Sequence, residues 1–61
     1  SSHTVISLAA GIIMGQNRCT HAEAMRILKD ASNHRNVKLR ELADDLVSSL
    51  DPDYLENHFR A

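Results

Sequence analysis

Apolar positions recur along this chain with a helical period, and nowhere with the period of two that marks a strand. The clearest stripe is Leu39, Leu42, Ala43, Leu46, Val47 and Leu50, spaced as one face of a helix. An earlier stretch, running to about Asn33, places Ala24, Met25, Ile27, Leu28 and Ala31 on an apolar face. It opens at Thr20-His21-Ala22-Glu23, a Thr-x-x-Glu capping box whose two side chains satisfy free backbone N–H groups reciprocally. The first stretch, from about His3 to Gln16, carries Val5, Ile6, Ala9, Ala10, Ile13 and Met14 at helical spacing, with Leu8 and Ile12 spreading apolar surface around the cylinder. A helix apolar on most sides has to be covered on most sides. Ala9, Ala10 and Gly11 permit close approach of a neighbouring backbone, the glycine at a helix-propensity cost of ~1 kcal/mol. Leu8 and Ile12 are expected at a dimer seam.

The remaining boundaries follow from local chemistry. Asn36 suits the N-cap of the third helix. Asp51-Pro52 stops that helix and suits the cap and first position of a short fourth one. Tyr54, Leu55 and Phe59 are then placed to pack back on the bundle. The expected fold is all-α: a small three-helix bundle with a short C-terminal fourth helix, dimeric, with residues 3–50 as the domain and 51–61 as an extension.

Composition sharpens this picture. The chain has 61 residues, one tyrosine, one phenylalanine and no tryptophan, so the core is aliphatic. In a domain this small, apolar burial barely offsets the entropy of ordering the chain. Its single cysteine, Cys19, offers no internal disulfide. A second copy is the simplest source of further burial. The longest apolar stretch, Leu8 to Met14, is too short to span a bilayer. No basic segment precedes it as in a signal peptide. The lone cysteine fits a reducing cytoplasm, and no membrane partner is expected.

Charge is unevenly placed. The formal net charge is −1. From Arg26 to Arg40, however, there are five cations (Arg26, Lys29, Arg35, Lys38, Arg40) against Asp30 alone, a net +4. From Glu41 onward six acids face one cation, Arg60, a net −5. Part of this is ordinary helix chemistry. Arg26–Asp30 and Arg40–Asp44 are i,i+4 pairs, and Lys29 and Arg35 complement the end of the second helix. Lys38 and Arg40 fit less well, because the start of a helix disfavours cations unless an anion sits there. Asn33, His34 and Asn36 add groups able to reach base edges. The junction between the second and third helices therefore suits nucleic acid. With no aromatic in the segment, base stacking falls to guanidinium planes or His34.

Other chemistries find less support. Cys19-x-His21-x-Glu23, even with His3 or His58, matches no metal-ligand spacing. No group orients a Cys–His pair for nucleophilic catalysis. Asp44-Asp45 and Asp51-x-Asp53 are explained by helix-start and solvated-face roles, and a bundle of this size has little room for a pocket. Neither an enzyme nor a metal or cofactor is expected.

The segments VISLAAGIIMGQNRCTHAEAMRIL and NVKLRELADDLV resemble the ANTAR domain, an RNA-binding module of bacterial transcription antitermination regulators. The resemblance rests on Ile6, the run Ala9-Ala10-Gly11-Ile12-Ile13-Met14, Thr20, Glu23-Ala24, Ala31, and Asn36-Val37-Lys38-Leu39-Arg40-Glu41-Leu42-Ala43. It implies a compact three-helix unit, usually C-terminal to a receiver or GAF sensor domain. Such units act as dimers that hold tandem hairpins with hexanucleotide loops in leader RNA and so prevent terminator formation. Many relatives carry Arg where His3 stands, and a polar then a basic residue where Leu8 and Ala10 stand. The first helix here is more apolar than is common, which shifts its weight toward burial or dimerisation.

The expected RNA-binding residues are Arg35, Lys38 and Arg40 on phosphates and Asn33 and Asn36 near loop bases, with Lys29 and His34 contributing. Leu39, Leu42, Ala43, Gly11 and Met14 are expected to pack. Two other functions remain open: a helix-turn-helix-like DNA-binding domain, against which Asp44 and Asp45 argue, and a helical dimerisation or protein-docking module.

Overall fold

Capping fixes both ends of the second helix. The computed structural model describes residues 2–59, with the backbone alone for 55, 58 and 59. The helices are α1 (Ser2–Asn17), α2 (His21–Arg35) and α3 (Leu39–Leu50), followed by a short helical segment, α4 (Tyr54–Phe59). No strand occurs among the described residues.

Thr20 caps α2 as its sequence requires. Its hydroxyl accepts from the Glu23 N–H at 3.1 Å, and Glu23 Oε1 accepts from the Thr20 N–H at 2.9 Å. The Thr20 hydroxyl proton is also directed at Glu23 Oε1. These donors, the backbone N–H foremost, hold the Glu23 carboxyl below its ordinary pKa.

The α1–α2 and α2–α3 junctions each turn on a non-glycine residue in the left-handed region. Arg18, with φ 55°, ends α1, and the Cys19 N–H reaches back to the Met14 carbonyl at 3.4 Å. Asn36, with φ 56° and ψ 45°, ends α2. The Asn36 N–H bonds to the Asn33 carbonyl at 3.3 Å and the Val37 N–H to the Ser32 carbonyl at 3.1 Å, a Schellman arrangement. Asn36 is therefore not the N-cap of α3. Asparagine is the side chain best able to take the left-handed position after glycine, and here it closes the preceding helix. Lys38, in an extended conformation, is the N-cap of α3, with no side-chain hydrogen bond to the free N–H groups. Likewise Pro52 is not the first residue of a helix. It lies in a turn with Asp53, and the helical bonds begin with the Asn57 N–H on the Asp53 carbonyl at 3.0 Å.

The core is built from Val5, Ala9, Ala10 and Ile13 of α1, Ala24 and Leu28 of α2, and Leu42, Ala43 and Val47 of α3. Four of these nine are alanines with no exposed surface, so the three backbones lie close together. Ala9 and Ala10 thus serve packing within the chain, and α1 lies mainly against α3. Gly11 is exposed, and a Cβ built on it or on Gly15 meets nothing within 4 Å, so neither glycine is needed by the core. Leu8, Ile12 and Met14 are half-buried against the core edge.

Two apolar residues escape the faces their spacing assigned them. Ile27 is 43% exposed and Leu50 60%. Neither is covered by the packing of the helices on one another. Tyr54 packs against the core, while the expected packing of Leu55 and Phe59 lies outside the described residues. No described helix is long and apolar enough to cross a membrane.

Candidate nucleic-acid interface

The α2–α3 junction is short and braced. Between Arg35, the last residue of α2, and Leu39, the first of α3, only three residues intervene. The Schellman bonds fix one side of the turn. Ser32 Oγ fixes the other by donating to the Val37 carbonyl at 2.6 Å. Val37 also packs against the core. The backbone entering Lys38 is thus held by main-chain bonds, a side-chain bond and apolar contact.

All seven sequence-derived candidates, Lys29, Asn33, His34, Arg35, Asn36, Lys38 and Arg40, are exposed. They do not form one uniform cluster. Lys29 and Asn33, four residues apart, share one side of α2, whereas His34 falls on the side of Ile27, seven residues earlier. Lys29 lies well before the last turn of α2, where His34 and Arg35 sit, so it does not complement the helix end. The side chains of Lys29, Arg35 and Lys38 make no hydrogen bond or ion pair with any described residue.

Arg40 differs from the other cations. Its Nη1 donates to Ser2 Oγ at 2.9 Å and its Nε lies 3.5 Å from Asp44 Oδ1. The Arg40 side chain is 44% exposed and partly committed within its own molecule, and its contact with Asp44 is the i,i+4 pair the spacing predicts. The contact with Asp44 is electrostatic only, because Oδ1 is shielded from solvent and accepts no hydrogen bond. Three N–H groups of the guanidinium remain uncommitted, those of Nη2 and one of Nη1.

On the other side of α3 lies an open groove of about 400 Å³. Its apolar lining is Ile13, Ile27, Leu28, Ala31, Leu42 and Leu46. Gln16, Asn17, Arg35 and Asp45 form the polar part. The small bundle thus has a concavity that its size alone did not suggest, opened by the same gap that leaves Ile27 uncovered. Arg35 belongs both to this groove and to the cationic junction.

Sequence reasoning missed Ser32 and Asp45. The signal for Ser32 was present, since a serine four residues before an asparagine followed by a β-branched residue suits a Schellman turn with a bonded loop. Asp45 carried no local signal, because its role depends on which face of α3 borders the groove. Among the described residues no group of three His, Cys, Asp or Glu side chains could hold a metal ion.

The family model of the ANTAR domain matches residues 1–47. The match takes in α1, α2 and α3 through Val47, including the whole cationic junction. No curated protein and no solved structure matches the chain.

Proposed function

The chain belongs to the ANTAR domain family, an RNA-binding family of transcription antitermination regulators, and from that premise we propose that it binds tandem hexaloop hairpins in leader RNA as a homodimer. Holding the paired hairpins prevents an overlapping terminator from forming. One domain, residues 3–50, reads one hairpin loop, and pairing two domains selects tandem hairpins. Residues 51–61 are an extension outside the RNA-reading unit. A receiver or GAF sensor domain upstream in a parent chain would supply the activating signal.

One observation carries the reading. Arg35 and Lys38 have exposed side chains, unpaired among the described residues, at a helix start whose N–H groups lack a side-chain cap, and Lys29 adds a further unpaired cation earlier on α2. Unpaired cations beside open N–H donors form a phosphate site, because each loses little in exchanging water for an anionic oxygen. Arg40 adds the uncommitted end of its guanidinium from the α1 side. Asn33, His34 and Asn36 flank the turn and approach loop bases, and the braced backbone keeps them in register. The dimer seam runs along Leu8 and Ile12, half-buried residues next to the exposed Gly11.

Titration with a tandem hexaloop hairpin RNA, a single hairpin and a random duplex DNA tests this. Tight binding of the tandem RNA, weaker binding of the single hairpin and loss of affinity with salt are expected. Equal affinity for the duplex DNA would point to a helix-turn-helix mode. No binding of any of the three at low salt would leave a protein-docking module.

A further inference from the structure

We infer that the groove bordered by α1, α2 and α3 receives one unstacked base of the RNA loop, with Asp45 accepting a hydrogen bond from an amino group of that base. This inference rests on the RNA-binding reading above and adds to it the place where a base is held.

Continuity with the cationic junction is the first argument. Arg35 lines the groove and also ends α2 beside Asn36 and Lys38. A phosphate held at this turn leaves its neighbouring base within reach of the groove. The lining is the second. An unstacked base has two apolar faces to cover, and RNA-binding proteins usually cover them with aromatic rings. This junction has none. Ile27, Ala31 and Leu46 offer aliphatic surface instead, and Ile27 is left 43% exposed by its own chain. A groove of about 400 Å³ accommodates a base and its ribose.

Asp45 supplies the third argument. An acid bordering a polyanion site repels phosphate, so only an uncharged part of the RNA can settle there. Its carboxylate only accepts hydrogen bonds at neutral pH. It therefore favours a base carrying an amino donor over uracil, which has only its N3–H to give. Gln16 and Asn17, whose amides both donate and accept, can satisfy the remaining edge.

The test is an abasic scan. The full chain and its Ile27→Gln and Asp45→Asn variants are titrated with hairpin RNA in which each loop nucleotide in turn lacks its base. One position should lower wild-type affinity about tenfold or more, in line with ~1–3 kcal/mol for a held base. Ile27→Gln should lower affinity for the intact RNA by a similar factor. Its salt dependence should not change, since no phosphate contact is lost. Removing the base should then cost Ile27→Gln little more. Because Ile27 is already substantially exposed, helicity serves as a control that should stay constant. If wild type binds no RNA, the RNA reading itself fails, and this inference with it. If wild type binds intact RNA but every abasic loop and both variants bind equally well, the groove holds no base and only this inference is overturned. It is overturned also if the scan is flat and Ile27→Gln instead lowers the dimer fraction in sedimentation, which would make the groove a protein seam.

Discussion

The hydroxyl of Ser32 donates to the carbonyl of Val37 across 2.6 Å, tying the last turn of α2 to the residue that precedes Lys38. The bond spans the turn at Asn36 and sets the direction in which α3 departs. Ser32→Ala should therefore cost about 1 kcal/mol, the usual net value of one such bond. For a domain of this size that corresponds to a fall of about 4–8 °C in Tm. RNA affinity should fall as well, because the cations on either side of the turn lose their fixed separation. Thermal unfolding by circular dichroism, paired with RNA titration well below the transition, separates the two effects. An unchanged Tm would show that the bond does not brace the turn.

Asn36 has two separable roles, a backbone one in the left-handed turn and a side-chain one toward RNA. Asn36→Gly keeps the turn without strain, so Tm should hold or rise slightly. Asn36→Ala forces an unfavourable backbone and should lower stability by about 1 kcal/mol. RNA affinity should drop in both, since both lack the amide. Full affinity in Asn36→Gly would remove the side chain from base contact and leave only its turn role.

How far this molecule was legible in its sequence follows from the range of each signal. The capping box at Thr20 and Glu23, the stripe on α3 and the all-helical class depend on neighbours within a turn or two, and the sequence displays them directly. Asn36 was misassigned because the same residue type suits the start of one helix and the end of another. Only the backbone sign at Asn36 separates the two. Ala9 and Ala10 were legible as close-approach residues, but not that the approaching helices belong to the same chain, in whose core both are buried. The exposure of Ile27, the groove and the Arg40–Ser2 bond are long-range. They depend on where three helix axes cross, which no local pattern encodes.

Gly11 and Gly15 lie one turn apart on the exposed side of α1, and neither is crowded by its own chain. Each costs the helix about 0.8–1 kcal/mol relative to alanine. In the isolated protomer, Gly11→Ala and Gly15→Ala should each stabilise by roughly that amount. If the seam follows Leu8 and Ile12, Gly11→Ala should also weaken the dimer by holding the two helices apart. Tm at low concentration should then rise while the dimer fraction in sedimentation falls. A rise in Tm with an unchanged dimer fraction would place the seam elsewhere.

Glu23 gives the fold a pH-dependent element. The Thr20 N–H and hydroxyl favour its ionised form, so its folded pKa lies below its unfolded one. The stabilisation is complete above the unfolded pKa and is lost as pH falls through the folded value. The loss therefore begins at the ordinary glutamate pKa and continues below it, well away from neutrality. Glu23→Gln keeps a hydrogen-bonding side chain at this position but cannot titrate, so its Tm should fall less steeply with acid than that of wild type. Parallel acid limbs in the two proteins would show that the box does not depend on the carboxylate charge.

Lys38 and Arg40 stand two residues apart but are held differently, and this separates binding from stability. The Lys38 side chain has no partner among the described residues, so Lys38→Ala should leave Tm unchanged while lowering RNA affinity. Arg40 bonds to Ser2 and lies beside Asp44, so Arg40→Ala should also lower stability, but by less than ~1 kcal/mol because the Ser2 bond is at the surface and the Arg40 side chain is 44% exposed. Together the two substitutions should reduce RNA affinity more than tenfold. The slope of log affinity against log salt should flatten by about one for each phosphate contact removed. Arg40→Lys preserves charge while losing the planar fork, so it should recover the salt slope without the full affinity. A double variant that binds RNA as tightly as wild type, with the same salt slope, would move the phosphate site away from the start of α3.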